Sequence, residues 1–118
     1  MEESILNTIK NMLDISDDDT AFDKELIDYI NSALFVLYQL GVSDAPFTIT
    51  GSDETWDELL HDINKYSIIK QYIYLKVKKV FDSSGSGSSF QTALDNMISE
   101  YEWRINMEFD PMEQKEDK

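Results

Sequence analysis

Apolar residues recur at three- and four-residue steps along most of this 118-residue chain, and that spacing limits the fold more than any other feature. It collects apolar side chains on one face of a helix, which becomes stable when that face packs against other helices. The first segment carries such a face, made of Ile5, Leu6, Ile9, Met12 and Leu13. The sequence therefore predicts one all-α domain of about five helices.

A second helix is predicted from Phe22 to Tyr38, after an acidic break at 15–20. Gly41 suits its end, because glycine adopts a left-handed C-terminal turn without steric penalty. The acidic residues between 14 and 25 are predicted to cap this helix and to favour its positive N-terminal end.

A short third helix is predicted after a loop from Val42 to Asp53, within which 46–50 is left open as loop or extended strand. Thr55 and Glu58 have the spacing of a capping box, in which each side chain accepts a hydrogen bond from a backbone N–H at the helix start. The side chains predicted to face inward are Trp56, Leu59, Leu60 and Ile63.

The sixteen residues from Tyr66 to Phe81 fit both helical and alternating apolar spacing. A typical strand has only about five or six residues, and no Gly or Pro interrupts this stretch. We therefore expect a helix that is apolar over most of its circumference and lies at the centre of the core.

A polar Ser/Gly segment at 83–89 is predicted to be a flexible linker, with Ser89 capping a last helix from Phe90 to about Phe109. The apolar stripe of that helix consists of Leu94, Met97, Ile98, Tyr101 and Ile105. We expect residues 1–109 to form the helical domain and 110–118 to form a flexible acidic C-terminal tail.

The overall charge argues against a protein that grips nucleic-acid phosphates. Lys and Arg total 10 against 24 Asp and Glu, which gives a net charge of -14. There is no cysteine, so disulfides and thiolate metal sites are impossible, and the composition suits a reducing cytosol. The longest apolar run, from Ala33 to Tyr38, is far shorter than the roughly 20 residues of a membrane span, and the start Met1-Glu2-Glu3 does not resemble a secretion signal. We expect a soluble protein that uses no membrane.

Positive charge is concentrated in one segment. Residues 65–81 contain five lysines and no acid, whereas the rest of the chain holds 5 bases and 24 acids. Identical subunits with complementary charged faces associate head to tail, and such contacts close into a ring when the rotation allows. The predicted subunit-contact residues are Lys70, Lys76, Lys78 and Lys79.

No motif for catalysis or cofactor binding stands out. The stretch from Asp14 to Glu25 has the oxygen ligands of a calcium loop, but Asp19 replaces the position-six glycine, so helix capping is the preferred interpretation. His61 is the only histidine and stands beside no recognisable nucleophile. The glycines at 85 and 87 lack the Lys-Ser or Lys-Thr pair of a phosphate-binding loop. We expect no catalytic residue, no cofactor and no metal site.

Trp103 departs from the apolar stripe of the last helix. Together with Met107 and Phe109, it is predicted to form an exposed interface anchor. The alternative is that the helix buries a wide face that includes Trp103.

Three segments form a larger pattern. They are the second helix with the Asp-rich residues that precede it, the block IKQYIYLKVKKVFD at 69–82, and the stretches LDNM and EWRI of the last helix. Together, over roughly residues 1–108, they resemble the small head-tail connector proteins of long-tailed bacteriophages.

The resemblance implies a non-enzymatic structural virion protein, an all-helical portal adaptor that assembles as a ring, typically twelve-fold, on the portal of a filled capsid. One rim would dock on the portal protein and the other would receive a stopper or tail-completion protein. Genomic DNA would pass through the lumen without specific binding. The C-terminal segment commonly contributes to portal attachment, which here points to Trp103, Met107 and Phe109. The protein is expected in the host cytoplasm during assembly and at the head-tail interface of the virion.

Two other classes stay open on the sequence. An acidic helical protein that mimics DNA and inhibits a host DNA-binding protein would explain the net charge of -14 equally well. That mimic would form a small stable oligomer and bind a basic nuclease or regulator, whereas a connector would form a ring-sized mass on a portal. A carboxylate-dependent hydrolase is the third class.

Overall fold

Five helices make up most of the computed structural model, which describes residues 3–43, 45–60, 66–81 and 88–109. They are α1 (Ile5–Met12), α2 (Asp23–Gln39), α3 (Trp56–Leu59), α4 (Tyr66–Phe81) and α5 (Ser88–Phe109). No strand occurs in the described ranges, where residues 46–50 are irregular and the only β-type pairing is an isolated bridge between Ser4 and Thr55. The predicted all-α class with about five helices is confirmed.

Helix α4 lies at the centre of the core, as its apolar circumference predicts. It packs against α2 and α5, and also against α1. Its buried residues are Ile69, Tyr72, Ile73, Leu75 and Val77. The face of α2 that is buried consists of Leu26, Ile30, Ala33, Leu34 and Leu37. Gly41 follows α2 with a φ of 97°, a left-handed conformation that glycine adopts without strain.

Two details of the prediction for α5 are wrong. The helix already includes Ser88, so Ser89 lies in its first turn and is not its N-cap. Met97 is 44% exposed, although the buried stripe does include Leu94, Ile98 and Ile105. Met97 is rotated about 100° from Ile98 around the helix axis, beyond the side of α5 that the core covers. Of the predicted linker at 83–89, residues 88 and 89 belong to α5, and 83–87 lie outside the described residues, as does the tail 110–118.

The predicted capping of α2 by acidic side chains is also wrong. The N-cap position is taken by Phe22, and no side chain accepts a hydrogen bond there. Asp19 instead accepts from the backbone N–H of Ala21 at 3.1 Å, which closes the turn before the helix. Acidic charge still favours the positive end of the helix, because Asp23 and Glu25 lie in its first turn.

A buried lysine joins α1 to the start of α2. Lys10 is only 1% exposed, and its Nζ lies 2.9 Å from Oδ1 of Asp23. The same ammonium donates to the backbone carbonyl oxygen of Asp17 at 3.2 Å. A charge withdrawn from water costs several kcal/mol unless it is paired, so these contacts fix both the turn and the relative position of the two helices.

Helix α3 is anchored through its first residue. The predicted capping box is present, with the Glu58 carboxylate 3.4 Å from the backbone nitrogen of Thr55. Trp56 is fully buried, and its Nε1 donates to the Thr8 hydroxyl on α1 at 3.0 Å. The Trp56 ring also meets the Tyr66 ring edge to face, with centroids 5.3 Å apart. Two other predicted inward residues, Leu59 and Leu60, are buried, whereas Ile63 and His61 lie outside the described residues.

The connection between α2 and α3 is held by one amide side chain. Asn31 of α2 accepts from the backbone N–H of Ile49 at 2.8 Å and donates to the Ile49 carbonyl oxygen at 3.0 Å. These bonds replace those that a neighbouring strand would supply, so the Ile49 side chain is buried although its segment is irregular.

Removal of the Asp23 carboxylate tests the buried ion pair. Asp23→Ala leaves the Lys10 ammonium buried without its counter-ion, and we expect the free energy of unfolding to fall by about 3–5 kcal/mol. Lys10→Met should lower the free energy of unfolding by less, because an apolar side chain of similar length fills the same space. The part-exposed Asp23 carboxylate can then be solvated by water. Urea denaturation followed by circular dichroism measures both changes.

The control for this comparison is Asp28→Ala, which removes an exposed carboxylate from the same helix and should change stability by less than about 0.5 kcal/mol. A larger loss for Lys10→Met than for Asp23→Ala would contradict the importance of the ion pair.

Candidate interaction surface

The four predicted contact lysines do not lie on one face of α4. At about 100° per residue, Lys70 and Lys78 are about 80° apart, whereas Lys79 and Lys76 lie about 180° and 240° around the helix from Lys70. All four are half-buried. Lys70 and Lys78 therefore lie two turns apart toward one side of the helix, and Lys76 and Lys79 lie toward the other side.

Lys70 and Lys78 belong to a strip in which tyrosine and lysine alternate every four residues. The strip consists of Tyr66, Lys70, Tyr74 and Lys78, and we name it the Tyr/Lys strip. The Lys70 Nζ lies 4.8 Å from the centroid of the Tyr66 ring, and the Lys78 Nζ lies 5.9 Å from that of Tyr74. A ring face attracts a cation within about 6 Å, so both ammonium groups are held along the helix surface.

The other two lysines of α4 also contact residues of the fold, as Lys78 does. Lys79 forms an ion pair with Asp95 of α5 at 2.7 Å and donates to Oε1 of Gln91 at 3.2 Å. The Lys76 Nζ lies 6.0 Å from the ring centroid of the buried Tyr72. The basic segment identified in the sequence therefore splits into a Tyr/Lys strip and a pair of lysines beside the core.

A second surface surrounds Trp103, which is 65% exposed. Together with Ile68, Arg104 and Met107 it lines an open groove of about 360 Å³ between α4 and α5. Arg104 also pairs with Glu100 at 2.6 Å. The exposure of Trp103 confirms that it is not part of a wide core face, and Met107 is also exposed. The side chain of Phe109 lies outside the described part of the chain.

Further aromatic rings are exposed that the sequence patterns did not single out as surface groups. Phe35 of α2 is 51% exposed and lies beside Tyr38, with ring centroids 6.2 Å apart. Phe90 is 40% exposed, and its ring centroid lies 5.9 Å from Nζ of Lys78. Whether an aromatic side chain on a helix is exposed depends on the residues that pack around it. These residues come from distant parts of the chain, so the local sequence does not show the exposure.

Helices α4 and α5 are joined by a partly buried polar contact. Tyr72 is fully buried, and its hydroxyl donates to Oε2 of Glu102 at 2.7 Å. Burial raises the pKa of Tyr72 above its ordinary value, and the hydrogen bond and negative charge of Glu102 raise it further. The phenol therefore keeps its proton and holds α5 in register against α4.

The geometry offers no centre for metal chemistry in the described ranges. No group of three or more His, Cys, Asp or Glu side chains there is placed to hold a metal ion, which includes the acidic turn at 14–25. Among the described helices, none is long and apolar enough to cross a membrane. The prominent features are surfaces suited to contact with other proteins.

A family model described as phage connector protein matches residues 5–112. The chain belongs to the phage connector family. Comparison with curated proteins and with solved structures finds no match. The family inferred by resemblance from the sequence is thus confirmed. Because the phage connector family is structural, the chain is a structural component of a phage particle.

Membership of this family favours the connector over the other two classes. The comparisons give no support to a DNA mimic. They also give none to a hydrolase, because the phage connector family is structural rather than enzymatic.

The buried phenol of Tyr72 predicts sensitivity to alkali. A group whose pKa is raised by folding contributes stability that is complete below its unfolded pKa, near 10 for tyrosine, and is lost as the pH rises above it. We expect the stability of the wild type to fall more steeply between about pH 9.5 and about pH 12 than that of Tyr72→Phe. At neutral pH, the free energy of unfolding of Tyr72→Phe should be only about 0.5–1.5 kcal/mol lower than that of the wild type.

Urea midpoints across this pH range provide the measurement. Glu102→Gln is the matched control, because its amide oxygen still accepts a hydrogen bond from Tyr72 but carries no charge. The stability that this variant loses at high pH should lie between the losses of the wild type and of Tyr72→Phe. Parallel pH profiles for the wild type and Tyr72→Phe would show that Tyr72 does not titrate differently on folding.

Proposed function

We propose that this phage connector is a portal adaptor that assembles as a ring, typically twelve-fold in the proteins it resembles. One rim docks on the portal, and the other receives a stopper or tail-completion protein. The observation that carries the proposal is the family match, which spans residues 5–112 and so includes every helix of the fold. Assembly takes place in the host cytoplasm, and the mature ring lies at the head-tail interface.

The groove around Trp103 supports portal docking through the end of α5. Large apolar side chains at 65% and 47% exposure, as for Trp103 and Met107, are costly in water and become favourable anchors when a partner covers them. Ile68 supplies the floor from α4, and Arg104 places a polar rim beside the apolar surface. A portal segment with one bulky apolar side chain fits this arrangement.

The acidity of the chain supports its proposed position around the genome. A lumen with mainly negative walls repels DNA phosphates, so the duplex slides without the release of counterions that strengthens binding. The net charge of -14 supplies such walls if most carboxylates face the channel. The lysines of α4 would then exchange some of their contacts within the fold for contacts with neighbouring subunits.

Binding to the portal tests this function. The phage connector should form a ring-sized complex with the portal protein of its own phage, as measured by native mass spectrometry. We expect Trp103→Ala to weaken portal binding about 30-fold, because truncation of a central aromatic anchor costs about 2 kcal/mol or more. The exposed indole makes little contribution to the core, so thermal stability should hardly change.

Phe35→Ala is the control, since it removes another exposed aromatic ring from a different helix and should leave portal binding unchanged. Equal affinity of the wild type and Trp103→Ala would exclude the groove as the docking surface. Failure of the wild type to bind the portal at all, together with tight binding to a basic DNA-binding protein, would favour the DNA mimic.

A further inference from the structure

We propose that an uncharged face of α5 binds a pocket on a second copy of this chain, a contact that rests on the ring assembly proposed above. We name the two surfaces the outer face, which is the exposed side of α5 between residues 89 and 99, and the loop pocket, which lies between the end of α2 and α3. The apolar lining of the loop pocket consists of Val42, Ala45, Pro46, Phe47 and Leu59. In the proposed contact, Met97 of one copy enters the loop pocket of the next.

The outer face carries no charged side chain. Between residues 88 and 99 the only charged residue is Asp95, which forms an ion pair with Lys79 of α4. Two large apolar side chains are exposed on the outer face, Phe90 at 40% and Met97 at 44%. Its other exposed side chains are small or uncharged, namely Ser89, Thr92, Ala93, Asn96 and Ser99. Such a composition is typical of the centre of a protein interface, where charged residues are depleted.

The net charge of -14 favours self-association through an uncharged face. Copies that meet through surfaces rich in carboxylates repel each other, because like charges placed opposite one another weaken an interface. This repulsion is avoided when one of the two surfaces brings no carboxylate to the contact. The outer face meets that condition on a chain with 24 acidic residues, so a second copy is a suitable occupant for it.

The loop pocket offers Met97 an apolar cavity of about 380 Å³. The unbranched thioether chain of methionine adapts to irregular apolar spaces, which suits a pocket lined by a loop. Glu58 is the one charged residue among the described residues that line the pocket, and the Asn96 amide beside Met97 can donate to its carboxylate. The open pocket beside α1 is a poorer match, because its lining is polar apart from Met12.

Hydrogen bonds within the chain hold the loop pocket in shape. The Ser43 hydroxyl donates to the carbonyl oxygen of Ala45 at 2.8 Å, and Asn31 fixes both backbone groups of Ile49 at the end of the same loop. The capping box of α3 holds Glu58 on the other wall. A pocket that is already formed loses less conformational entropy when a side chain enters it.

The outer face and the loop pocket belong to helices on opposite sides of α4. Tyr72 contacts α5 through Glu102, and Phe81 contacts Phe22 at the start of α2, with ring centroids 5.3 Å apart. Tyr72 and Phe81 are nine residues apart, so their side chains leave α4 in opposite directions. The described residues that line the loop pocket come only from 42–47 and 58–59, directly after α2.

This placement predicts a head-to-tail contact. Each copy can use its outer face for one neighbour and its loop pocket for another, because the two surfaces do not overlap. A contact between an apolar side chain and a pocket elsewhere on the molecule repeats from copy to copy, and it closes into a ring when the rotation fits.

Chemical cross-linking tests the contact on the full chain, which contains no cysteine of its own. We expect Ala45→Cys combined with Ala93→Cys, assembled on the portal and treated with a short bismaleimide, to give a ladder of linked copies on a denaturing gel. Ala93 is exposed one turn before Met97, so this pair leaves the Met97 side chain in place. The largest member of the ladder counts the copies in the ring.

Two controls accompany the cross-linking. Ala45→Cys combined with Asn106→Cys should give no ladder, because exposed Asn106 is nine residues beyond Met97 and so lies on the opposite side of α5. Ala45→Cys alone should give no linked dimer, because a head-to-tail contact does not bring the same residue of two copies together. A dimer from this single variant would overturn the head-to-tail arrangement.

Substitutions on each surface test the same contact without a cross-link. We expect Met97→Glu to reduce the number of complete rings on the portal by about tenfold or more, because a carboxylate would have to enter an apolar pocket beside Glu58. Ala45→Trp should have a similar effect, because the indole fills the pocket. Native mass spectrometry counts the copies bound per portal, and circular dichroism verifies that each variant is folded.

Each substitution has a matched control. Asn106→Glu adds the same charge on the other side of α5, and Thr48→Trp adds the same ring to an exposed position of the loop that does not line the pocket. Both controls should leave rings complete. Complete rings from Met97→Glu or from Ala45→Trp would overturn the proposed contact, whereas portal binding by the wild type would still support the adaptor function.

The same variants distinguish a different occupant of the outer face. Complete rings of Met97→Glu that no longer bind the stopper or tail-completion protein would overturn the contact between copies and assign the outer face to that protein. Failure of the wild type to bind the portal would overturn the ring and the contact together.

Discussion

Burial of α4 between α2 and α5 is the interaction on which the rest of the structure depends. This helix supplies core residues along most of its length. Its partly exposed residues include the Tyr/Lys strip, and the start of the helix contributes Ile68 to the groove around Trp103. Both surfaces are therefore positioned by one apolar packing arrangement, and a rotation of α4 would displace them together.

Much of the helical arrangement follows from short-range patterns. The bounds of α4 match the uninterrupted stretch from Tyr66 to Phe81, because no residue within it can end a helix. The capping box at Thr55 and the left-handed Gly41 are likewise local, as each depends on bonds or angles within a few residues. Such features can be predicted because their partners are adjacent in the sequence.

Other features depend on long-range contacts, and these the sequence did not reveal. Lys10 is buried because the turn before α2 folds back over it, and Met97 is exposed because the core covers only one side of α5. The lysines of α4 form one segment in sequence but point in several directions, since charge counts ignore the rotation of the helix. The sequence thus identified the candidate surfaces by residue type. Only the three-dimensional arrangement showed that the basic segment of α4 splits into the Tyr/Lys strip and the other two lysines.

The Asn31 amide holds the connection to α3 through backbone atoms alone, which has a consequence for how the protein can diversify. Both of its bonds end on the peptide groups of Ile49, so they make no demand on the neighbouring exposed side chains at 45, 46 and 48. Substitutions there can accumulate during evolution while the path of the main chain stays the same. These positions can therefore take new surface chemistry without a change of fold.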